Sequence, residues 1–103
     1  MKVVYNDIHT NFILPKEFLN KHPEYDEMYG DLKVRTHPDL VEFVEKTCEK
    51  EGACIIYYGS GFHADLCVAD LPDEATDFCI KEGSDEYHEE TIYYVVDGKI
   101  KEY

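Results

Sequence analysis

The hydrophobic positions of this chain form one helical stripe and several short runs of strand period. The stripe lies in RTHPDLVEFVEKTCEKEG, where Leu40, Val41, Val44 and Cys48 recur at helical spacing with Phe43 beside them. Glu42, Glu45, Lys46, Glu49 and Lys50 fall on the outer side. Thr36 stands as a cap with Asp39 three residues on, in the manner of a capping box. Pro38 presets φ in the first turn and Gly52 ends the pattern. A helix over about 37–51 is predicted, with one face packed on a sheet.

Residues 2–5 are a short apolar run before the turn-forming pair Asn6-Asp7, which suits a first strand. Pro15 opens a short helical stretch limited to about two turns by Pro23. Over 24–31, acids interleave with Tyr25, Met28 and Tyr29 in a loosely helical rim or a partner-facing loop. The continuously apolar run 53–58 and the alternating run 62–70 flank Gly59-Ser60-Gly61, as in a hairpin. In the second run Phe62, Ala64, Leu66 and Val68 point one way, toward the helix. His63, Asp65, Cys67 and Ala69 point the other way, toward solvent or a partner. Further strands are expected at 76–81 and 91–96, with Asp97-Gly98 turning the chain into a short return at 99–103. The sum is an α+β fold: one domain over 1–103, with a small, mostly antiparallel sheet of four to five strands and one principal helix on one face.

Composition changes the picture through charge. The 103 residues carry 10 Lys and Arg against 23 Asp and Glu, a formal net charge of −13. A hydrophobic fraction of 44%, with nine Tyr and five Phe, is too high for a disordered acidic tail, so the acidity decorates a fold. Such a surface repels phosphate backbones and argues against direct binding to nucleic acid or anionic membrane. No apolar run is long enough to span a bilayer and the N-terminus lacks a signal-peptide pattern, so a cytoplasmic protein is expected, with Cys48, Cys54, Cys67 and Cys79 as reduced core thiols.

Candidate catalytic patterns are thin. His63 and Cys67 would stand about 13 Å apart along a strand at ~3.3 Å per residue, and no C-x-x-C pair joins them to Cys79 or His88, so no metal site is expected. Gly59-Ser60-Gly61 lacks the Lys and helix of a phosphate loop. No catalytic residue and no cofactor are predicted. The charge distribution is more informative: Asp70, Asp73, Glu74, Asp77, Glu82, Asp85, Glu86, Glu89 and Glu90 stand against the single base Lys81. Alternate carboxylates on a strand lie ~7 Å apart, near the spacing of successive phosphates, so a carboxylate-studded sheet can imitate a phosphate row. With tyrosines, which are enriched at interfaces, such a surface suits a basic partner.

Lys2-Val3-Val4-Tyr5-Asn6-Asp7, Arg35-Thr36-His37-Pro38-Asp39-Leu40-Val41 and Ala69-Asp70-Leu71-Pro72-Asp73-Glu74 together resemble the motifs of a family of short phage and prophage proteins. These open on a K-[IV]-V-[IY]-N-[DR] strand and carry an R-x-[DH]-P-D-L helix start and a V-[EA]-[IL]-P-D turn. The chain departs from them at 8–12, where a Gly-rich opening is usual, and in lacking their Trp-bearing C-terminal segment. The resemblance implies a viral accessory product of the anti-defence class. Two functions are expected from it together with the charge. The first is a non-enzymatic inhibitor that binds the basic surface of a nucleic-acid-binding defence enzyme, of anti-CRISPR or anti-restriction type, through the nine acids above. The alternative is a sponge for a cyclic nucleotide signal, of anti-Thoeris or anti-CBASS type, with Arg35, the sole arginine, and Lys33 on the phosphate and Tyr57, Tyr58 and Phe62 stacking the base. The apolar residues on both faces of 91–96 predict a homodimer through that strand.

Overall fold

The computed structural model of the protein describes residues 1–7, 12–26, 31–51, 55–58, 62–82 and 90–103, with the side chains at 48–51, 55–58, 62–64 and 82 outside the description. The elements in chain order are β1 (Lys2–Asn6), α1 (Lys16–Lys21), α2 (Leu32–Arg35), α3 (Pro38–Glu51), β2 (Ile55–Tyr58), β3 (Phe62–Asp70), β4 (Asp77–Glu82), β5 (Glu90–Val96) and β6 (Lys99–Glu102). This is an α+β fold. No helix among the described residues is long and apolar enough to cross a membrane.

The strands form two antiparallel sheets, ordered β1-β3-β2 and β4-β5-β6, where one sheet of four to five strands was expected. The division falls at the connection between β3 and β4. After Asp70 the chain buries Leu71, turns at Pro72, and resumes as β4 bonded to β5 rather than to the first sheet. β1 is apolar on both faces, and each face receives a different layer. Val4, opposite Val68, joins Leu66 against Leu40, Val41 and Val44 of α3; Val3, opposite Ala69, packs with Leu71 and Ile92 of the second sheet. Ala69 is therefore not partner-facing as its alternation suggested: it is fully buried, while Asp65 and Cys67 on the same face are half-buried. Ile92 and Tyr94, two of the apolar residues of 91–96 from which a homodimer contact was expected, belong to this second core.

The first core also takes Phe12, Ile13 and Leu14, a buried segment outside any regular element, and Phe18 of α1. α2 was not foreseen; Asp31 caps it by accepting the Lys33 backbone N–H at 3.1 Å. The cap of α3 is His37 rather than Thr36. The His37 carbonyl accepts the first helical bond from Val41 N at 3.0 Å, and its Nδ1 accepts the Asp39 N–H at 3.1 Å. Thr36 instead ends α2, donating its hydroxyl to Lys33 O. Asp97 and Gly98 both take positive φ, 52° and 73°, the geometry of the tight hairpin turn expected there. The predicted Gly52 helix end and the turn at 59–61 lie outside the described residues.

The layers meet at a buried ion pair. Arg35 at the end of α2 and Glu90 at the start of β5 are 5% and 6% exposed. The guanidinium donates from Nη1 to Oε1 at 2.6 Å and from Nη2 to Oε2 at 2.8 Å, in bidentate fashion. Nη1 also reaches Val4 O at 3.4 Å, Asn6 N donates to Glu90 Oε1 at 2.7 Å, and the Phe12 ring lies 3.6 Å from Arg35 Cζ. Two buried charges are costly unless saturated in this way. Arg35→Ala and Glu90→Ala are each expected to lower the unfolding free energy by about 3–5 kcal/mol in urea titration, because each strands the other charge. The double replacement Arg35→Met/Glu90→Leu should cost far less than the two truncations added together; single losses under about 1 kcal/mol would mark the pair as no stronger than an exposed one.

Candidate functional site

Of the nine candidate acids, the four described as exposed lie on the connection between the two sheets. Asp70 ends β3, Asp73 and Glu74 lie on the turn after Pro72, and Asp77 begins β4; all four are exposed. The turn is fixed from below. Leu71 is 2% exposed and exchanges backbone bonds with Met1, Ala75 N donates to Pro72 O at 3.0 Å, and Thr76 N donates to Val95 O at 3.0 Å. Asp77 Oδ1 accepts the Phe78 N–H at 2.8 Å. None of the four enters an ion pair among the described residues. The carboxylates thus crown a turn and do not run along one strand, because Leu71 points inward and Pro72 breaks the alternation.

The remaining acids divide. Glu90 is not a surface residue: it is the buried partner of Arg35, and its place in a docking face is withdrawn on that ground. Glu82 lies opposite Glu90 in the β4–β5 register, and its side chain is outside the description, as are Asp85, Glu86 and Glu89 altogether.

The expected nucleotide set does not assemble around Arg35. Its guanidinium is committed to Glu90, Val4 O and the Phe12 face, so it offers no phosphate contact. Lys33 is exposed on α2. Tyr58 pairs with Phe62, and Tyr57 with His63, at the far end of β3 from the pair. Phe62 is four residues, ~13 Å, from Leu66, the partner of Asn6. The side chains of Tyr57, Tyr58 and Phe62 lie outside the description. A groove of about 550 Å³ between the N-terminus and α3 contains Lys2 and Lys46, each paired with a glutamate of α3: Lys2 with Glu45 at 3.1 Å and Lys46 with Glu42 at 2.6 Å. Neither lysine is left over for an anion.

Of the thiols, Cys67 is half-buried and Cys79 exposed, so Cys79 is not the core residue expected; Cys54 and the side chain of Cys48 lie outside the description. Cys67 adjoins Tyr5. Burial, with smaller contributions from Cys67, Asp7 and Tyr103, pushes the Tyr5 phenol up from 10.0 to about 12.

The sequence reading missed a second constellation. His22 at the C-terminus of α1 and His37-Asp39 at the start of α3 meet, with His22 Nε2 2.7 Å from Asp39 Oδ2 and the two imidazole centroids 4.4 Å apart. The His22 contact holds the Asp39 carboxyl below its ordinary range. A signal was present: His22-Pro23-Glu24 and His37-Pro38-Asp39 repeat a His-Pro-acid triplet 15 residues apart.

Comparison of the chain with family models, with curated proteins and with solved structures gives no match. The reading of function therefore rests on the residues themselves.

Tyr5 supplies a pH test of this region. Its folded-state pKa is raised, so its stabilisation is complete below pH 10 and is lost as pH rises toward about 12. Urea midpoints are expected to fall across that window, and Tyr5→Phe should flatten the fall; an unchanged slope would mean that other groups govern the alkaline limit.

Proposed function

We propose that this chain is a non-enzymatic, cytoplasmic accessory protein of phage type that docks its acidic turn on a basic, nucleic-acid-gripping surface of a defence enzyme. One observation carries the reading: Asp70, Asp73, Glu74 and Asp77 are exposed together on a turn anchored by buried Leu71, with no cation neutralising them among the described residues. A fixed display of carboxylates attracts lysine and arginine without having to order a loop on binding. The resemblance to short phage proteins and the net charge of −13 point the same way. The cyclic-nucleotide alternative relied on Arg35, and with that side chain held by Glu90 it loses its bidentate phosphate ligand.

The half-buried Tyr93 and Val95, with Ile100 75% exposed beside them, favour the outer face of β4-β5-β6 as the contact between two copies of the chain. Sedimentation is expected to show a dimer at tens of micromolar and a monomer for Ile100→Glu; a monomeric parent would overturn this contact.

For the docking face, the variant Asp70→Asn/Asp73→Asn/Glu74→Gln/Asp77→Asn keeps side-chain size and the Asp77 acceptor while removing four charges. At ~0.2–1 kcal/mol per exposed pair the total is about 1–4 kcal/mol, a loss of affinity between roughly fivefold and several hundredfold. DNA cleavage by restriction and CRISPR nucleases should be inhibited by the parent and much less by the variant. Added nucleic acid should compete, and association should slow as salt shortens the Debye length below ~8 Å. Equal inhibition by parent and variant, or none by either, would show that the acidity serves solubility.

A further inference from the structure

We propose that His22, His37 and Asp39 form a binding site for a divalent transition metal ion of the Zn²⁺ class, clamping the end of α1 to the start of α3. Each residue offers a donor atom, and the three donors lie within 4.8 Å of one another. Donors around a tetrahedral zinc at ~2.0–2.2 Å stand about 3.3 Å apart, so the site needs only small side-chain rotations. Two imidazoles and one carboxylate are the nitrogen and oxygen donors that borderline divalent ions take, with a water completing the shell.

The surroundings prepare the rings for this. His22 is fixed at the α1 C-terminus by its N–H bond to Phe18 O at 3.0 Å. The Phe18 ring lies 4.8 Å from His22 and 5.2 Å from His37, holding both imidazoles from one side. Glu24 Oε1 sits 3.5 Å from His22 Nδ1. With Nε2 on the metal, the His22 proton resides on Nδ1 and faces that carboxylate, the outer partner that orients a metal-bound imidazole. The His22 side chain is 21% exposed and that of Asp39 41%, leaving the ion a path from solvent. The strong negative charge of the whole chain raises the local concentration of cations.

His37 gives the site its distinguishing property. Its Nδ1 accepts the Asp39 N–H, so the neutral ring carries its proton on Nε2. Coordination through Nε2 moves that proton to Nδ1 and releases the backbone bond; coordination through Nδ1 replaces the bond directly. Either way the Asp39 N–H loses its imidazole acceptor, so metal binding and the first turn of α3 are coupled.

The test is titration of the chelator-treated full chain with Zn²⁺ alone by calorimetry, and with Co²⁺ by visible absorption. His22→Gln removes one imidazole. His37→Asn removes the other but keeps a good capping side chain, and Asp39→Asn removes the carboxylate. Circular dichroism establishes that each variant is folded. The parent is expected to bind one equivalent, with affinity reduced at least tenfold in each variant and by a smaller factor in Glu24→Gln. In ¹⁵N spectra the His22 and His37 ring nitrogens should shift while those of His9, His63 and His88 do not. Folded variants that bind Zn²⁺ as tightly as the parent, or ring nitrogens unmoved by saturating Zn²⁺, would overturn the site and leave His22–Asp39 as a plain hydrogen-bonded pair.

Discussion

The structure depends on one buried ion pair. Arg35 and Glu90 come from α2 and β5, 55 residues apart, and their hydrogen bonds reach Val4 and Asn6 of β1. Helix, first sheet and second sheet are therefore tied at one point. Removing two ions from water is unfavourable by several kcal/mol each, and mutual attraction offsets this only where geometry and additional hydrogen bonds are complete. Here Glu90 Oε1 receives both a guanidinium N–H and a backbone N–H, and Phe12 covers the guanidinium plane. The pair also acts by exclusion: any arrangement that leaves β5 away from β1 strands two charges.

That constraint explains which parts of the fold were legible in the sequence. The helix at Pro38–Glu51, the strand Phe62–Asp70 and the Asp97-Gly98 turn follow from spacing and local backbone preference, which act within a few residues. The split into two sheets does not, because it depends on which strand β4 meets after Leu71. Phe12, Ile13 and Leu14 escaped notice as core because a buried irregular segment has no period to detect. Glu90 looked like one more member of an acidic run, and the sole arginine looked like a ligand for phosphate. Each took its role from a partner distant in sequence. The same limit hid the His22–His37–Asp39 meeting, although the repeated His-Pro-acid triplets mark both halves. Of the candidate docking acids, Asp70, Asp73, Glu74 and Asp77 are exposed at the ends of β3 and β4 and on the turn between them.

Burying Arg35 against Glu90 has an electrostatic consequence for everything outside. The pair is neutral, so the net charge of −13 belongs to the nine lysines and 22 acids that remain. Two of those lysines are tied to glutamates of α3, and Lys81 stands over the Tyr93 ring. Guanidinium, the cation best suited to grip a phosphate or carboxylate bidentately, is spent internally.

The last strand bears on the proposed contact between two copies. β6 ends the second sheet, and the exposed Ile100 sits between Lys99 and Lys101 on it. A strand added along that border would have to bring its backbone past two ammonium groups, a barrier that edge strands use against runaway pairing. In the dimer proposed above, contact at this end is face-to-face stacking, which closes after two copies, and not edge-to-edge growth, which has no natural end. That is the difference between an assembly of fixed size and a fibre.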